Sequence, residues 1–287
     1  LLTVGRGQRI GLFAGSGVGK SRLLAQLATK MEADVVVIGL VGERSREVRE
    51  FVEDVMGPEG MSRSVVIAAT SDRSAATRAR AAYSTMAVAE FFRDQGAQVL
   101  VLMDSITRLA EAEAAMADTS DARRGVNGYP ASVMANLMAL CERAGPGPKG
   151  AGDITAVISV LVAASDMEGP VADTLRGVLD GHIILDRDIA ERGGFPAINV
   201  LKSVSRSLPK AATPEENEII QEVRGLLGAF DRVEMMVQAG LYAEGSDPLT
   251  DNAVSLEPRL DAFWSDPSAN CDEAFSKLRT ILAGQED

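Results

Sequence analysis

Short apolar segments alternate with amphipathic segments along the first two thirds of the chain. The apolar segments are rich in Val, Ile and Leu, as buried strands are, and the segments between them have helical periodicity. This alternation predicts a mostly parallel β-sheet with helices on both faces, an α/β fold. The predicted strands lie at residues 9–14, 34–40, 64–69, 98–103, 154–164, 181–185 and 198–203, and the predicted helices at 19–31, 44–56, 73–94, 130–143 and, directly after the fourth strand, up to 117.

The pattern changes after residue 208. No strand-like run of β-branched residues follows, and Thr213, Pro214 and Glu216 form a helix start, with Thr as N-cap, Pro at the first helical position and Glu at the third. Helices are predicted from there to about 238, from about 247 to 264 and from 270 to 282. We therefore predict an α/β domain over residues 1–208 and a small helical domain over residues 209–287.

Composition narrows the class of protein. Of the 287 residues, 46% are hydrophobic but only 4% aromatic, so the core must be mainly aliphatic. The net charge of −12 argues against a general nucleic-acid-binding surface, although it leaves a local basic channel open. Cys141 and Cys271 lie far apart and outside any metal-ligand spacing, which favours reduced thiols in a cytosolic protein.

No signal peptide is apparent in the sequence, and no run of apolar residues is long enough for us to expect a membrane span. The longest apolar run, at residues 154–164, is a better match for a buried strand. The chain begins without Met and almost directly at the first predicted strand. We therefore expect it to be a fragment whose N-terminal part is missing.

A glycine-rich loop joins the first predicted strand to the first predicted helix. It follows the pattern of Gly, four residues, then Gly-Lys-Ser, with Ala14 in the first position. The glycines let backbone N–H groups turn toward phosphate oxygens, and the following helix adds its positive end. Lys20 is expected to reach the β and γ phosphates, and Ser21 to bind Mg²⁺ through its hydroxyl. The predicted phosphate-binding residues are Gly15, Ser16, Gly17, Val18, Gly19, Lys20 and Ser21.

Two predicted strands end in residues that suit catalysis. Asp104 ends an apolar strand, where an isolated Asp would usually cap the next helix. Beside a phosphate-binding loop such an Asp holds Mg²⁺ through water, and we predict that role. Glu43 and Arg44 directly follow the second strand, where a carboxylate can polarise an attacking water. The neighbouring charges at residues 46 and 47 are interpreted as a solvated helix start.

Two further residues have weaker signals. Arg206 follows the last predicted strand, and its residue type suits either a structural role or the delivery of a guanidinium to a γ-phosphate. His182 is the only histidine, which leaves no His-based metal site and no Ser-His-Asp triad. We expect His182 to be structural.

These motifs, in this order, resemble the F1/V1-like rotary ATPase superfamily, which has a RecA-like P-loop core. Within it the chain is most similar to the flagellar type III protein export ATPases. The resemblance covers nearly the whole chain and implies an ATP hydrolase that energises flagellar protein export. The segments that carry it are residues 11–21, 39–48, 77–83, 104–108, 190–198 and 242–248.

The resemblance also implies roles for individual residues. Glu43 matches the catalytic glutamate and Arg44 a γ-phosphate contact. Arg206 matches an arginine finger that acts on the site of the neighbouring subunit. Phe195 matches an aromatic residue that stacks on adenine, and Tyr242 is expected to flank the other side of the base, with core packing as the alternative for both.

A chain that carries both Glu43 and Arg206 can complete a site at every interface of a ring of identical subunits. The resemblance therefore implies a homohexamer in the full-length protein. It also implies stalk and regulatory (stator) proteins of the export apparatus, export substrates and chaperones as partners, with no nucleic acid. The expected location is the cytoplasm, peripheral to the membrane export gate at the inner face of the cell membrane.

Other interpretations of the sequence remain open at this stage. The first is the ATPase of an injectisome, the virulence type III secretion system. A RecA-type hexameric RNA helicase would need RNA-binding loops with clustered Lys or Arg, which the chain lacks. A non-catalytic nucleotide-binding ring subunit would bind ATP without turnover, and Glu43 argues against it.

Overall fold

A computed structural model describes residues 1–117, 128–162 and 169–284 of the chain. The described residues form a seven-stranded sheet whose order is β3-β2-β4-β5-β1-β6-β7. All neighbouring pairs are parallel except β6 and β7. The strands are β1 (Arg9–Ala14), β2 (Val35–Val41), β3 (Ser64–Ala69), β4 (Val99–Asp104), β5 (Ile154–Leu161), β6 (Gly181–Leu185) and β7 (Val204–Ser205).

Helices connect these strands and then form the last quarter of the chain. In the α/β part they are α1 (Lys20–Lys30), α2 (Ser45–Glu50), a π-helical segment (Phe51–Met56), α3 (Gly57–Met61), α4 (Ala75–Asp94), α5 (Ile106–Met116), α6 (Ala131–Glu142), α7 (Pro170–Val178) and α8 (Arg187–Glu191). The last three are α9 (Pro214–Gln238), α10 (Pro248–Ser265) and α11 (Cys271–Leu282). No described helix is long and apolar enough to cross a membrane.

The inner strands of the sheet, β1, β2, β4, β5 and β6, are buried on both faces, as their near-continuous apolar residues predict. Along β1, Phe13 enters one core while Leu12 and Ala14 enter the other, because successive side chains point to opposite faces. Helices α4 to α7 contribute to the Phe13 core, and α1 with the π-helical segment contributes to the opposite core. The predicted α/β fold followed by a helical part is confirmed.

The helical part is held together by its own apolar cluster. Residues of α9, α10 and α11 meet around Val223, Leu260 and Phe275. Helix α9 begins at a complete capping box, in which Thr213 Oγ1 accepts from the N–H of Glu216 and the Glu216 carboxylate accepts from the N–H of Thr213. The division into domains at residues 208 and 209 stays a prediction.

One predicted strand is wrong. Within residues 198–203 only Ile198 bridges a strand residue, Leu185, and the segment then turns. The turn forms because the Asn199 side chain accepts from the N–H of Lys202 and the Ser203 hydroxyl donates to the carbonyl of Asn199. The strand follows as β7. The structure also contains two helices, α7 and α8, in segments for which the sequence predicted no helix or strand.

Candidate functional site

The carboxyl ends of β1, β2 and β4 lie at one edge of the sheet and bring three charged side chains together. Lys20, the first residue of α1, places Nζ 2.5 Å from Asp104 Oδ1 and 3.5 Å from Glu43 Oε1. All three side chains are largely buried. The strand order explains the meeting, since β4 lies next to β2 and one strand away from β1. Three residues far apart in sequence thus form one cluster.

The glycine-rich loop before α1 has the backbone shape that a phosphate cradle needs. Gly17 and Gly19 have φ angles of 80° and 86°, which only glycine adopts without strain. Gly19 is the N-cap of α1 and makes no side-chain cap bond, so it places no side-chain acceptor over the first N–H groups of the helix. Ser16 and Ser21 are exposed at either end of the turn. The loop therefore presents backbone donors to an outside anion.

Asp104 is fixed from two directions. Asp104 is 4% exposed, and its Oδ1 accepts hydrogen bonds from Lys20 Nζ and, at 2.6 Å, from the Ser159 hydroxyl on β5. Ser159 is fully buried and carried no sequence signal, because a lone Ser inside an apolar strand is compatible with many roles. Both described bonds use Oδ1. The role of Asp104 in holding Mg²⁺ through water stays a prediction, for which Oδ2 would serve.

Glu43 has the properties of a general base. Burial raises the pKa of its carboxyl group to about 7, against the opposing effect of the Lys20 charge, with further increases from Asp104 and Glu47. A base whose pKa lies near the working pH transfers protons most effectively. The carbonyl of Glu43 accepts from the N–H of Ser71, which anchors the backbone beside β3.

Arg108 is a positive group near Glu43 that the sequence analysis did not single out. It lies in the first turn of α5, and a Cβ added to Gly42 would lie 2.9 Å from Arg108 Cβ. Gly42 has a φ angle of 76°. Arg108 Nη1 donates to both oxygens of Glu111, and these bonds, with the charge of Glu43, raise the pKa of Arg108. The signal was its place four residues after Asp104, in one of the segments that carried the resemblance.

Arg44 does not join the buried cluster. It is the N-cap of α2, its side chain is 80% exposed, and its described ion pair is with Glu47 at 3.7 Å. The predicted contact with a γ-phosphate stays a prediction.

The two predicted adenine contacts are placed differently. Phe195 is 48% exposed and lies over the loop, since a Cβ on Gly19 would be 3.3 Å from its ring. It borders a cleft of about 280 Å³ with Ser16, Gly17, Val18, Arg187, Ala190 and Glu191. Tyr242 lies in the helical part and donates to Asp251 Oδ1 at 2.6 Å. Its role as the second contact stays a prediction.

Arg206 lies at the amino ends of the parallel strands, whereas the glycine-rich loop lies at their carboxyl ends. It follows β7, where Ser205 pairs with Gly181, and the next residue along β6, His182, pairs with Gly11. Ser205 is therefore level with Ile10, four residues from the end of β1 at Ala14, or about 13 Å at about 3.3 Å per residue, and Arg206 lies one residue further away. Arg206 is exposed and its Nη2 donates to the carbonyl of Arg176 at 3.1 Å. It cannot reach the loop of its own chain.

His182 has a structural setting. Its ring meets Phe13 edge to face, with centroids 5.9 Å apart, and Nε2 lies 3.1 Å from the carbonyl of Lys202. Burial lowers the pKa of His182, so the ring is neutral at physiological pH.

Comparison with protein families identifies the fold family. Residues 1–205 match the nucleotide-binding domain of the ATP synthase alpha/beta family. The chain belongs to the ATP synthase alpha/beta family. Residues 212–280 also match the C-terminal domain of the type III secretion ATPase EscN. Within the alpha/beta family, this second match points to the type III secretion ATPases.

Individual members of the alpha/beta family resemble the chain over nearly its full length. It is 48% identical to the flagellum-specific ATP synthase of Caulobacter vibrioides, over 99% of this chain and 66% of that protein. It is 45% identical to the type 3 secretion system ATPase of Xanthomonas euvesicatoria, over 100% of this chain and 64% of that protein. The chain thus spans slightly less than two thirds of the length of these relatives.

A solved structure agrees with the fold. The assembled ATPase EscN of enteropathogenic E. coli, in complex with its central stalk EscO, superposes with a TM-score of 0.89 at 39% identity. The match covers 98% of this chain and 68% of that one.

Proposed function

We propose that this chain hydrolyses Mg-ATP at sites shared between identical subunits of a ring, and that it energises flagellar type III protein export. The buried cluster of Lys20, Glu43 and Asp104 beside the glycine-rich loop carries the proposal. It combines a phosphate-binding cation, a base with a pKa near 7 and a carboxylate for a metal shell. The family's description as a nucleotide-binding domain supports ATP as the ligand.

The residues present suit a magnesium ion. Mg²⁺ prefers hard oxygen ligands and is usually held by one or two protein oxygens together with phosphates and waters. The exposed Ser21 hydroxyl would bind the ion, and Asp104 Oδ2 would hold one of its waters. When bound, the ion neutralises charge on the β and γ phosphates.

The protein's own groups divide the remaining work. Backbone N–H groups of residues 15–19 orient the phosphates, and Lys20 leaves its ion pairs to bind them. Glu43 positions the attacking water and accepts its proton on a carboxylate oxygen. Phe195 stacks on the base at the mouth of the cleft.

A second copy of the chain supplies a further positive charge to the γ-phosphate. Arg206 lies too far from its own loop, so it acts on the γ-phosphate of a neighbouring subunit as an arginine finger. The assembled state named for EscN supports a ring, and EscO supports a stalk protein as partner. We extend the proposal to the homohexamer, the regulatory proteins, the export substrates and the chaperones that the resemblance implies, and to a cytoplasmic location at the inner face of the membrane.

The second candidate is the injectisome ATPase. The relative from Xanthomonas euvesicatoria, named a type 3 secretion system ATPase, favours it at an identity only three points below that of the flagellar relative. The two candidates share chemistry and differ in the export system.

The test of the chemistry is ATP hydrolysis per subunit as a function of protein concentration with Mg²⁺ present. A rise with concentration is expected, because a neighbour completes the site. Lys20→Ala should abolish nucleotide binding by calorimetry, while Lys30→Ala, at the far end of α1, should leave it intact. Concentration-independent hydrolysis, or unchanged binding by Lys20→Ala, would refute the proposal.

The test of the export system is genetic. The gene should restore swimming to a bacterium that lacks its flagellar ATPase and should not restore effector secretion to one that lacks its injectisome ATPase. The reverse result would favour the injectisome.

A further inference from the structure

Asp180 fastens the backbone that carries Arg206 to the start of β1. We propose that Asp180 is the positioning residue for Arg206, setting the direction from which the guanidinium enters the neighbouring site. This inference rests on the proposed function, in which Arg206 acts between subunits. It assigns a role to a residue of the α7–β6 connection, at the amino ends of the parallel strands and away from the phosphate-binding loop.

The backbone of Asp180 holds the backbone of Arg206. The carbonyl of Asp180 accepts the N–H of Arg206 at 2.9 Å and the Gln8 side-chain amide at 3.0 Å. The same Gln8 amide lies 3.3 Å from the hydroxyl of Ser205. Because Gln8 is 4% exposed, these hydrogen bonds are shielded from water. Hydrogen bonds inside a protein are electrostatically stronger than bonds exposed to water.

The carboxylate of Asp180 is in turn locked onto Arg9. Oδ2 accepts from the Arg9 backbone N–H and from Nε, both at 3.0 Å, and Oδ1 accepts from Nη2 at 3.2 Å. The N–H of Asp180 donates back to the Arg9 carbonyl at 2.8 Å. A bidentate guanidinium–carboxylate pair fixes the orientation of the two side chains as well as the distance between them. Asp180 is therefore a rigid link between β1 and the segment that ends in Arg206.

Gly181 brings β7 close enough for this link to form. Its φ angle is 153°, and a Cβ at this position would lie 2.4 Å from the carbonyl oxygen of Val204. Only glycine lets β7 approach β6 this closely. The side chain of Arg206 leaves the sheet directly after this contact.

The charge of Asp180 also acts on its surroundings. Burial would raise the pKa of this carboxyl group, but the hydrogen bonds and charge of Arg9, together with the charge of Arg206, lower it overall. Asp180 thus stays ionised at neutral pH. Arg206, Arg9, Asp180 and Glu142 line a cleft of about 510 Å³, so the guanidinium lies at an open surface that a second copy can approach.

Loss of this link should misdirect Arg206 without touching the nucleotide site of its own chain. In Asp180→Asn the Arg9 pair loses its charge, while the backbone bonds remain available. Misplacement of a catalytic group by about 1 Å can cost about 100-fold in rate. We expect kcat to fall between about 10-fold and 100-fold, with the KM for ATP unchanged.

The experiment mixes variant subunits. Asp180→Asn is assayed alone and in an equimolar assembly with Glu43→Gln, with mixing verified by differently tagged subunits. At a mixed interface the intact Glu43 of one variant faces the well-held Arg206 of the other, so activity should exceed the sum of the separate variants. Misfolded Asp180→Asn subunits could not produce this recovery.

Two controls separate the possible failures. Glu142→Gln removes the other ion pair of Arg9, at 2.7 Å, without touching the Asp180–Arg206 bond, and should keep full activity. Arg206→Ala should lose activity and recover with Glu43→Gln. If Arg206→Ala behaves so while Asp180→Asn stays fully active or fails to recover, the positioning role is overturned and the proposed function stands. Full activity of Arg206→Ala would overturn the proposed function itself.

Discussion

The ammonium group of Lys20 lies 2.5 Å from the carboxylate of Asp104, so the end of β4 is joined to the start of the helix that follows the glycine-rich loop. A buried ion pair of this kind is costly to form unless both charges have further partners. Here Ser159 donates to Asp104 and Glu43 lies near Lys20. In the proposed mechanism, the pair holds the Lys20 ammonium group in place until phosphate oxygens compete for it.

Replacement of Glu43 by Gln should separate binding from hydrolysis. The amide keeps the size of the side chain but cannot accept the proton of the attacking water, so kcat should fall by about 100-fold or more. ATP affinity by calorimetry should stay near that of the unchanged protein. Glu50→Gln, an exposed change on α2, is the matched control and should keep full turnover. Retained turnover in Glu43→Gln would remove Glu43 from the mechanism.

The same residue makes stability depend on pH. The pKa of Glu43 is 4.5 without burial and about 7 in the fold, so between these values the folded protein retains a proton that the unfolded chain releases. Its contribution to the free energy of unfolding is full below pH 4.5 and is lost as the pH rises through 7. Since Gln does not titrate, Glu43→Gln should gain stability relative to the unchanged protein between pH 5 and pH 8. Urea unfolding at pH 5 and at pH 8 measures the difference in free energy of unfolding between the variant and the unchanged protein. An equal difference at the two pH values would contradict the raised pKa of Glu43.

Much of this site could be predicted from sequence because its signals are local. The loop, its Lys and Ser, and the strand-end positions of Asp104 and Glu43 all depend on neighbours in the chain. Ser159 and Arg108 could not be assigned in this way. Their positions near the cluster arise from where β5 and α5 lie in the fold. Ser159 carried no sequence signal, and the only signal of Arg108 was its place four residues after Asp104.

The fold was predictable to a similar extent. Near-continuous apolar strands indicate a sheet that helices cover on both faces, and a strand was found in each of the first six predicted segments. The fifth ends at Leu161, and residues 163 and 164 of its predicted range lie outside the described residues. The strand predicted at residues 198–203 was wrong because the side chains of Asn199 and Ser203 bond to nearby backbone groups and turn the chain. Local polar bonds of this kind compete with strand pairing and are hard to weigh from composition alone.

Truncation of Phe195 should weaken ATP binding and leave chemistry intact. Stacking of a base on an aromatic ring contributes about 1–3 kcal/mol, so Phe195→Ala should raise the dissociation constant of ATP by roughly 5-fold to 150-fold. Maximal turnover at saturating ATP should change little. Phe91→Ala, at an exposed Phe on α4, controls for the loss of a surface ring. If ATP affinity does not change, Phe195 is no adenine contact.

The account's central claim is that each site is completed by Arg206 of a neighbouring copy. Subunits with Arg206→Ala and subunits with Glu43→Gln should each be inactive alone. An assembly that mixes them contains interfaces at which an intact Glu43 faces an intact Arg206. The account predicts that ATP hydrolysis reappears in the mixture, and a mixture proven to co-assemble that stays inactive would contradict it.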